Sequence, residues 1–419
     1  MTKGLCYHSS PFPPPPPPPP PPSMSSKSLR FFSSPQHRRR HHHYRGEKNQ
    51  HHHHHHHHPL LSMRWRASSS NLSRRISHLF AHFANKSFGI WSQQHTTLFT
   101  RGCLSDLSCQ STYLTSLSNN VLTSKTETGQ PQRTLSGPVT RMGKGLHSGE
   151  ESTLTLFPAT AGEGRYFVYM NDIVTEKISA SADNVVETRL STCLGIGHTK
   201  VRTVEHLMSA LEGIGVNNCR IELRGGQEVP LLDGSASQWV KAVEEVGLSI
   251  AQDRHGCQLP ALSLKVHKPI FVFDGDSFVA AFPAPATRVT CGIDFPQQAI
   301  GRQWFTWYHC NNASYKSEIA AARTFGIYEQ IEQLQQAGLI KGASLDNALV
   351  CSESGWLNPP LRFPDEPCRH KLLDLVGDLA LCAQSGHLGL PVAHIISFKA
   401  SHSLHVKFCK AILQAAKDH

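Results

Sequence analysis

Residues 369–378 read RHKLLDLVGD, a pattern that only a helix turns into two coherent faces. Each helical residue advances about 100°, so residues four apart nearly eclipse. With His370 at the origin, Asp374 lies at about 40° and Asp378 at about 80°, while Leu372, Val376, Leu379 and Ala380 fall between roughly 180° and 280°. One face is therefore apolar core, and the other presents an imidazole and two carboxylates in a row. A His and an Asp one turn apart can chelate one ion, and neutral imidazole with carboxylate suits zinc. Two ligands alone do not make a site; an exposed charged face with an intrahelical His–Asp pair fits the same spacing.

Working outward, the expected helix over residues 367–383 closes a run of strands. Residues 262–273 and 278–282 read as a hairpin turned at Asp274-Gly275, followed by strands over 288–294 and 303–308. Residues 326–337 look helical, 348–352 and 393–398 look like strands, and 402–416 looks like a last helix. An earlier stretch repeats this in kind. Residues 133–139, 152–157, 165–169 and 218–223 alternate as strands. Val204, Leu207, Met208 and Leu211 stand at i, i+3, i+4 and i+7, a helix with Thr203 as its expected N-cap, and residues 235–246 form a second helix. The fold class expected is α+β: two successive two-layer α/β sandwich domains of similar topology, over residues 132–255 and 260–416.

The first helix carries a second chemical signal. Glu205 and His206 fall off its apolar stripe, and a carboxylate beside a histidine ligand is what metal-assisted hydrolysis needs. His-Glu-x-x-His is absent, so any zinc site here is assembled from separate segments. Twelve cysteines at irregular spacing, with no Cys-x-x-Cys pair, point to thiols in a reducing compartment rather than to a disulfide scaffold or a cysteine metal site.

Six segments in order, GKGLHSG (143–149), TVEHLMSAL (203–211), VPLLDGSA (229–236), AARTFG (321–326), RHKLLDLVGD (369–378) and KASHSLHVK (399–407), resemble the UDP-3-O-acyl-N-acetylglucosamine deacetylase family. The resemblance implies a zinc amidohydrolase acting on a UDP-linked acylated glucosamine in lipid A biosynthesis, with the active site between the two domains. It implies zinc held by His206, His370 and Asp374, with water at the fourth position. Glu205 would be the general base. His402, held by Asp378, would be the cation that meets the oxyanion and protonates the leaving amine. Thr324 would hydrogen-bond the tetrahedral oxygen, Lys371 would lie in the same polar cleft, and Phe325 would border the acyl passage. The last motif reads Ala-Ser-His where members usually have Ser-Gly-His, and His405 stands close enough to compete with His402 for its role. His147, in a glycine-rich turn where backbone can approach a ligand, is a further expected substrate contact.

The 419 residues carry a formal charge of +10, but its distribution matters more than its size. Residues 1–105 hold fourteen Lys/Arg and a single acid, Glu47, which leaves the remainder mildly acidic. A nucleic-acid partner is disfavoured, because its charge belongs on a folded surface. Proline fills residues 13–22 and histidine 51–58, compositions that bury no core. From residue 63 the chain is Arg- and Ser-rich without acid, and Leu72, Ile76, Leu79 and Phe80 recur at helical spacing. Organelle import machinery reads such segments. Residues 1–105 are expected to be a disordered leader with a mitochondrial (alternatively plastid) targeting peptide, and residues 106–131 a linker. No run of about 18 apolar residues suggests a membrane-spanning helix. A fluorescent protein fused behind residues 1–105 is expected to enter mitochondria; a diffuse cytosolic signal would refute targeting.

Overall fold

Alternation along each strand sets the layers. In Glu151–Pro158, Ser152, Leu154 and Leu156 are buried, while Thr153, Thr155 and Phe157 are only half-buried. A computed structural model of the chain describes residues 122–170, 175–309 and 312–417. The leader, its targeting segment and the first part of the expected linker lie outside these residues.

Strands β1 (Val139–Lys144), β2 (Glu151–Pro158), β3 (Arg165–Met170), β4 (Thr175–Ser179) and β5 (Cys219–Gly225) form one sheet in the order β1-β2-β5-β3-β4. Strands β6 (Ile270–Asp274), β7 (Ser277–Phe282), β8 (Arg288–Asp294), β9 (Arg302–Tyr308) and β10 (His394–Phe398) form another in the order β6-β7-β10-β8-β9. The second order is the first renumbered. In both, the last strand in sequence sits at the centre, antiparallel to one neighbour and parallel to the other. The expected similarity of the two α+β halves is thus a repeat of topology.

The described helices are α1 (Glu205–Gly213), α2 (Ser237–Val246), α3 (Asn312–Glu318), α4 (Tyr328–Gln336), α5 (Glu366–Leu379) and α6 (His402–Lys417). α1 and α2 flank β5 in sequence, as α5 and α6 flank β10. The equivalent helices α1 and α5 pack against each other, and the buried apolar core runs continuously through both halves. α1 is buried on every side, as a helix between a sheet and another helix must be. Each half also inserts a small three-stranded sheet between its first four main-sheet strands and its helix of the α1–α5 pair: Val185–Glu187, Cys193–Ile196 and Thr199–Val201 in one, Phe325–Ile327, Leu349–Ser352 and Gly355–Trp356 in the other.

Several expectations are corrected. The end of the linker is a strand, Thr123–Pro131, paired with Pro260–Val266; only Thr123 in it is buried, so its sequence carries no apolar alternation. The long arm over 262–273 is two strands in different sheets, broken before Ile270 at Pro269, which has no N–H to offer a ladder. The helix expected from 326 starts at Tyr328, because Phe325–Ile327 pairs with Leu349–Cys351 as a strand. The N-cap is not Thr203 but Val204, with no side-chain cap; the Thr203 hydroxyl is drawn instead to Glu228.

The crossing of α1 and α5 depends on Gly377, where an added Cβ would lie 2.0 Å from the Glu205 carbonyl oxygen. Glycine in a helix normally costs about 0.5–1 kcal/mol relative to alanine, so with free space Gly377→Ala would stabilise. The close approach reverses the sign. Gly377→Ala is expected to destabilise by about 1–3 kcal/mol in denaturant unfolding, as overpacking does.

Candidate active site

The polar face of α5 meets the start of α1 at that crossing. Nε2 of His206 lies 3.5 Å, and Nε2 of His370 3.4 Å, from Oδ1 of Asp374. The two imidazoles meet edge to face with centroids 4.9 Å apart, and all three side chains are buried. His370 Nδ1 donates to the Ala322 carbonyl at 3.0 Å, which leaves its Nε2 with a free lone pair. Burial pushes the His370 pKa down to about 4, so the ring is neutral near pH 7.

Asp374 divides its oxygens. Oδ2 accepts from Lys371 Nζ at 2.9 Å, whereas Oδ1 is buried without a hydrogen-bond partner. A carboxylate oxygen in that state costs free energy unless a cation meets it. Burial would raise the Asp374 pKa, but Lys371 and the imidazoles hold it well below the carboxylate range. Burial alone would lower Lys371; Asp374 more than compensates, and its pKa is raised. The donor set His206, His370 and Asp374, with ligand atoms within 4.8 Å of one another, therefore fits a divalent cation.

Beside this group, Glu205 and His402 face each other, with His402 Nε2 4.0 Å from Glu205 Oε1 and 4.0 Å from Asp374 Oδ2. Glu205 Oε2 accepts the Thr192 N–H at 3.0 Å. Burial raises the Glu205 pKa to about 7. For His402 burial acts downward, but Asp378 outweighs it and the pKa is raised to about 9. His402 Nδ1 donates to Asp378 Oδ2 at 2.7 Å, His405 Nδ1 donates to the same oxygen at 2.8 Å, and Thr192 Oγ1 donates to Oδ1 at 2.5 Å. Burial raises Asp378, yet its histidine partners bring it down to about 2. Asp378, His402 and His405 are also close enough to hold a cation, but both Nδ1 atoms are already committed to the carboxylate. Burial lowers His405, which leaves it the neutral member.

A family model described as UDP-3-O-acyl N-acetylglycosamine deacetylase matches residues 132–414. The chain belongs to this family. An Arabidopsis thaliana relative named probable UDP-3-O-acyl-N-acetylglucosamine deacetylase 1, mitochondrial, is 51% identical over 290 residues, covering 67% of this chain and 88% of the relative. The deacetylase of Nostoc is 50% identical over 284 residues, 67% of this chain and 98% of the relative. That of Thermosynechococcus vestitus is 48% identical over 283 residues, 68% and 94% of the two chains.

The other expected deacetylase residues lie around this group at different distances. The Phe325 ring is 6.4 Å from that of His370 and packs edge to face on Phe295 at 5.3 Å. Thr324 sits two residues beyond Ala322 and donates its N–H to the Gly234 carbonyl; no hydrogen bond among the described residues ties its hydroxyl to the cluster. His147 is buried with Nε2 unpartnered, and its Nδ1 accepts the Ile340 N–H at 3.4 Å. The turn glycine Gly145 serves a different neighbour from the ligand expected: a Cβ there would lie 2.4 Å from Glu228 Oε2. Sequence reasoning missed Thr192, the Ala322 carbonyl and Glu228. The Ala322 carbonyl is a single backbone group, Thr192 acts through one N–H and one hydroxyl, and Glu228 stands just before a motif instead of inside one.

The Glu205 and His402 pKa values set opposite limbs. Below about 7 Glu205 keeps its proton and is no base; above about 9 His402 has lost its proton and is no acid. kcat/KM is expected to rise and then fall with pH, both limbs moving to lower pH when a cation adjoins them. His402→Ala should remove the alkaline fall, and Asp378→Asn should move it to lower pH. A pH–rate series on the three proteins checks this.

Proposed function

We propose that the chain is a zinc-dependent amidohydrolase that removes the N-acetyl group of UDP-3-O-(3-hydroxyacyl)-N-acetylglucosamine, giving acetate and the free amine in a lipid A-type pathway. The observation that carries the reading is the unpartnered Asp374 oxygen between two imidazoles, directly beside a base and a cation of opposite proton preference. Deacetylation is the family's reaction, and the chain spans 98% of the Nostoc relative. The residues His206, His370 and Asp374 would hold the zinc.

When bound, zinc supplies Lewis acidity, which polarises an amide carbonyl and makes water more acidic. The chain supplies the rest. Glu205, raised toward neutrality by burial, accepts the proton of the attacking water. His402, kept cationic by Asp378, stabilises the negative charge that develops on the carbonyl oxygen, and Thr324 donates a second hydrogen bond. One such donor is typically worth about 10²–10³ in turnover. His402 then gives its proton to nitrogen, without which the amine leaves poorly. Lys371 neutralises the second oxygen of Asp374, so that Oδ1 is fixed toward the ion. Phe325, packed on Phe295 and edge to face with His370, would border the acyl chain, and His147 would offer its unpartnered Nε2 to substrate.

The mitochondrial address read from residues 63–101 agrees with the names of the Arabidopsis relatives. No described helix is long and apolar enough to cross a membrane.

The purified chain is expected to release acetate from the acylated UDP-sugar, to stop when a chelator strips it, and to recover with zinc. His206→Ala and Asp374→Ala should lose most bound metal by elemental analysis, because a three-ligand site rarely survives on two. Undiminished turnover in excess chelator would sink the reading.

A further inference from the structure

Glu228 lies outside the group just described, yet its buried carboxylate collects more hydrogen bonds than any ligand carboxylate there. Oε1 accepts from the His147 N–H at 3.0 Å and from the Thr203 hydroxyl at 2.6 Å. Oε2 accepts from the His147 N–H at 3.1 Å, the Ser148 N–H at 2.8 Å and the Ser148 hydroxyl at 2.8 Å. Its own carbonyl accepts from Ser152 Oγ at 2.7 Å, and its backbone bridges Arg202. The side chain cannot swing away without abandoning all of these at once.

Both elements so joined carry residues of the proposed site. Thr203 holds φ at +59°, a conformation β-branched residues rarely adopt, and from it the chain turns directly into Val204, Glu205 and His206. Turn 145–149 carries His147 and also meets the other half of the molecule: the Lys341 N–H donates to the His147 carbonyl and the Gly342 N–H to the Leu146 carbonyl.

We infer that Glu228 is a positioning residue, a clamp that fixes the entry of α1 through Thr203 and the His147 turn through its backbone, and so sets Glu205 and His147 in register across the active site. The inference rests on the deacetylase reading for its consequence on turnover, though not for its geometry. It acts through other residues, because no hydrogen bond or ion pair among the described residues joins the Glu228 carboxylate to His206, His370 or Asp374.

Glu228→Ala is expected to lower kcat by about 100-fold, the effect of a misplacement on the order of 1 Å. Thr203→Val cuts the α1 arm alone and should lower kcat about tenfold, a hydrogen bond to a charged group being lost, with KM unchanged; Thr203→Ser, which keeps the hydroxyl, should recover most of it. If both residues act through one clamp, the double variant stays near the Glu228→Ala value instead of multiplying the two losses. Glu228→Gln preserves shape, and both hydroxyl partners can reverse their roles, so it should recover much of what alanine loses. Hydrogen exchange reads the clamp without turnover. The His147 and Ser148 amides are protected in the wild type and lose that protection in Glu228→Ala, while α5 amides keep theirs. Full kcat in Glu228→Ala, multiplicative losses in the double variant, or unchanged exchange at 147–148 each overturn the clamp. A wild type that exchanges as expected but releases no acetate overturns the deacetylase reading instead.

Discussion

Everything chemical in this molecule depends on how closely α5 crosses α1. Gly377 presses its bare Cα against the Glu205 backbone, and only that contact lets His370 and Asp374 come down beside Glu205 and His206. A side chain there would hold the helices apart by most of an ångström or more, and metal ligands tolerate only about 0.2 Å. The crossing is held from behind as well. Glu212, near the end of α1, pairs with Arg165 of β3 at 2.7 Å, and its other oxygen accepts the Gly389 and Leu390 N–H groups from the opposite half. Removing one partner of so buried a pair typically costs about 3–5 kcal/mol, which makes it a firm lock on the helix.

Burial then divides the ionisable groups into roles. Three carboxylates stand within the same dry junction, yet their environments send them in different directions. Asp378 is saturated by two imidazoles and a hydroxyl and remains an anion. Asp374 is held as an anion by Lys371 but keeps one oxygen open. Glu205 receives a backbone N–H and faces a cation, but burial outweighs them and its proton becomes exchangeable near neutrality. The two histidines on Asp378 divide in the same way: His402 takes the charge and, with it charged, His405 does not.

Much of this was legible in the sequence. The spacing of residues 369–378 put His370, Asp374 and Asp378 on one helical face, Thr203–His206 put Glu205 and His206 off the apolar stripe, and the structure brings these side chains together. The hydrophobic period found α1 because its stripe is continuous, and most strands of the two main sheets were expected, whereas β1 and β4 were not. What escaped has physical reasons. The strand Thr123–Pro131 is polar on both faces and pairs through its backbone and the Thr128 hydroxyl instead of an apolar face. Thr192 acts by one hydroxyl and one N–H, and a threonine in a loop looks the same whether or not a carboxylate waits for it. Thr203 reads as a helix cap, and nothing in its neighbourhood says that Glu228 will outbid the helix for its hydroxyl. The ambiguity between His402 and His405 arises because both point to one oxygen; only the position of Nε2 separates them.

The repeat of topology has a consequence for how such a centre can arise. Two identical subunits meeting through equivalent helices form a self-complementary contact, in which every residue at the junction appears twice. A duplicated centre of that kind could offer two copies of a base or two of a ligand pair, never one of each in a chosen place. Joining both copies in one polypeptide lifts the symmetry. α1 brings a Glu-His pair at its first turn, α5 brings His, Asp and Asp along its middle, and neither sequence has to work on the other side. Division of labour between acid and base is, in this fold, a product of covalent linkage.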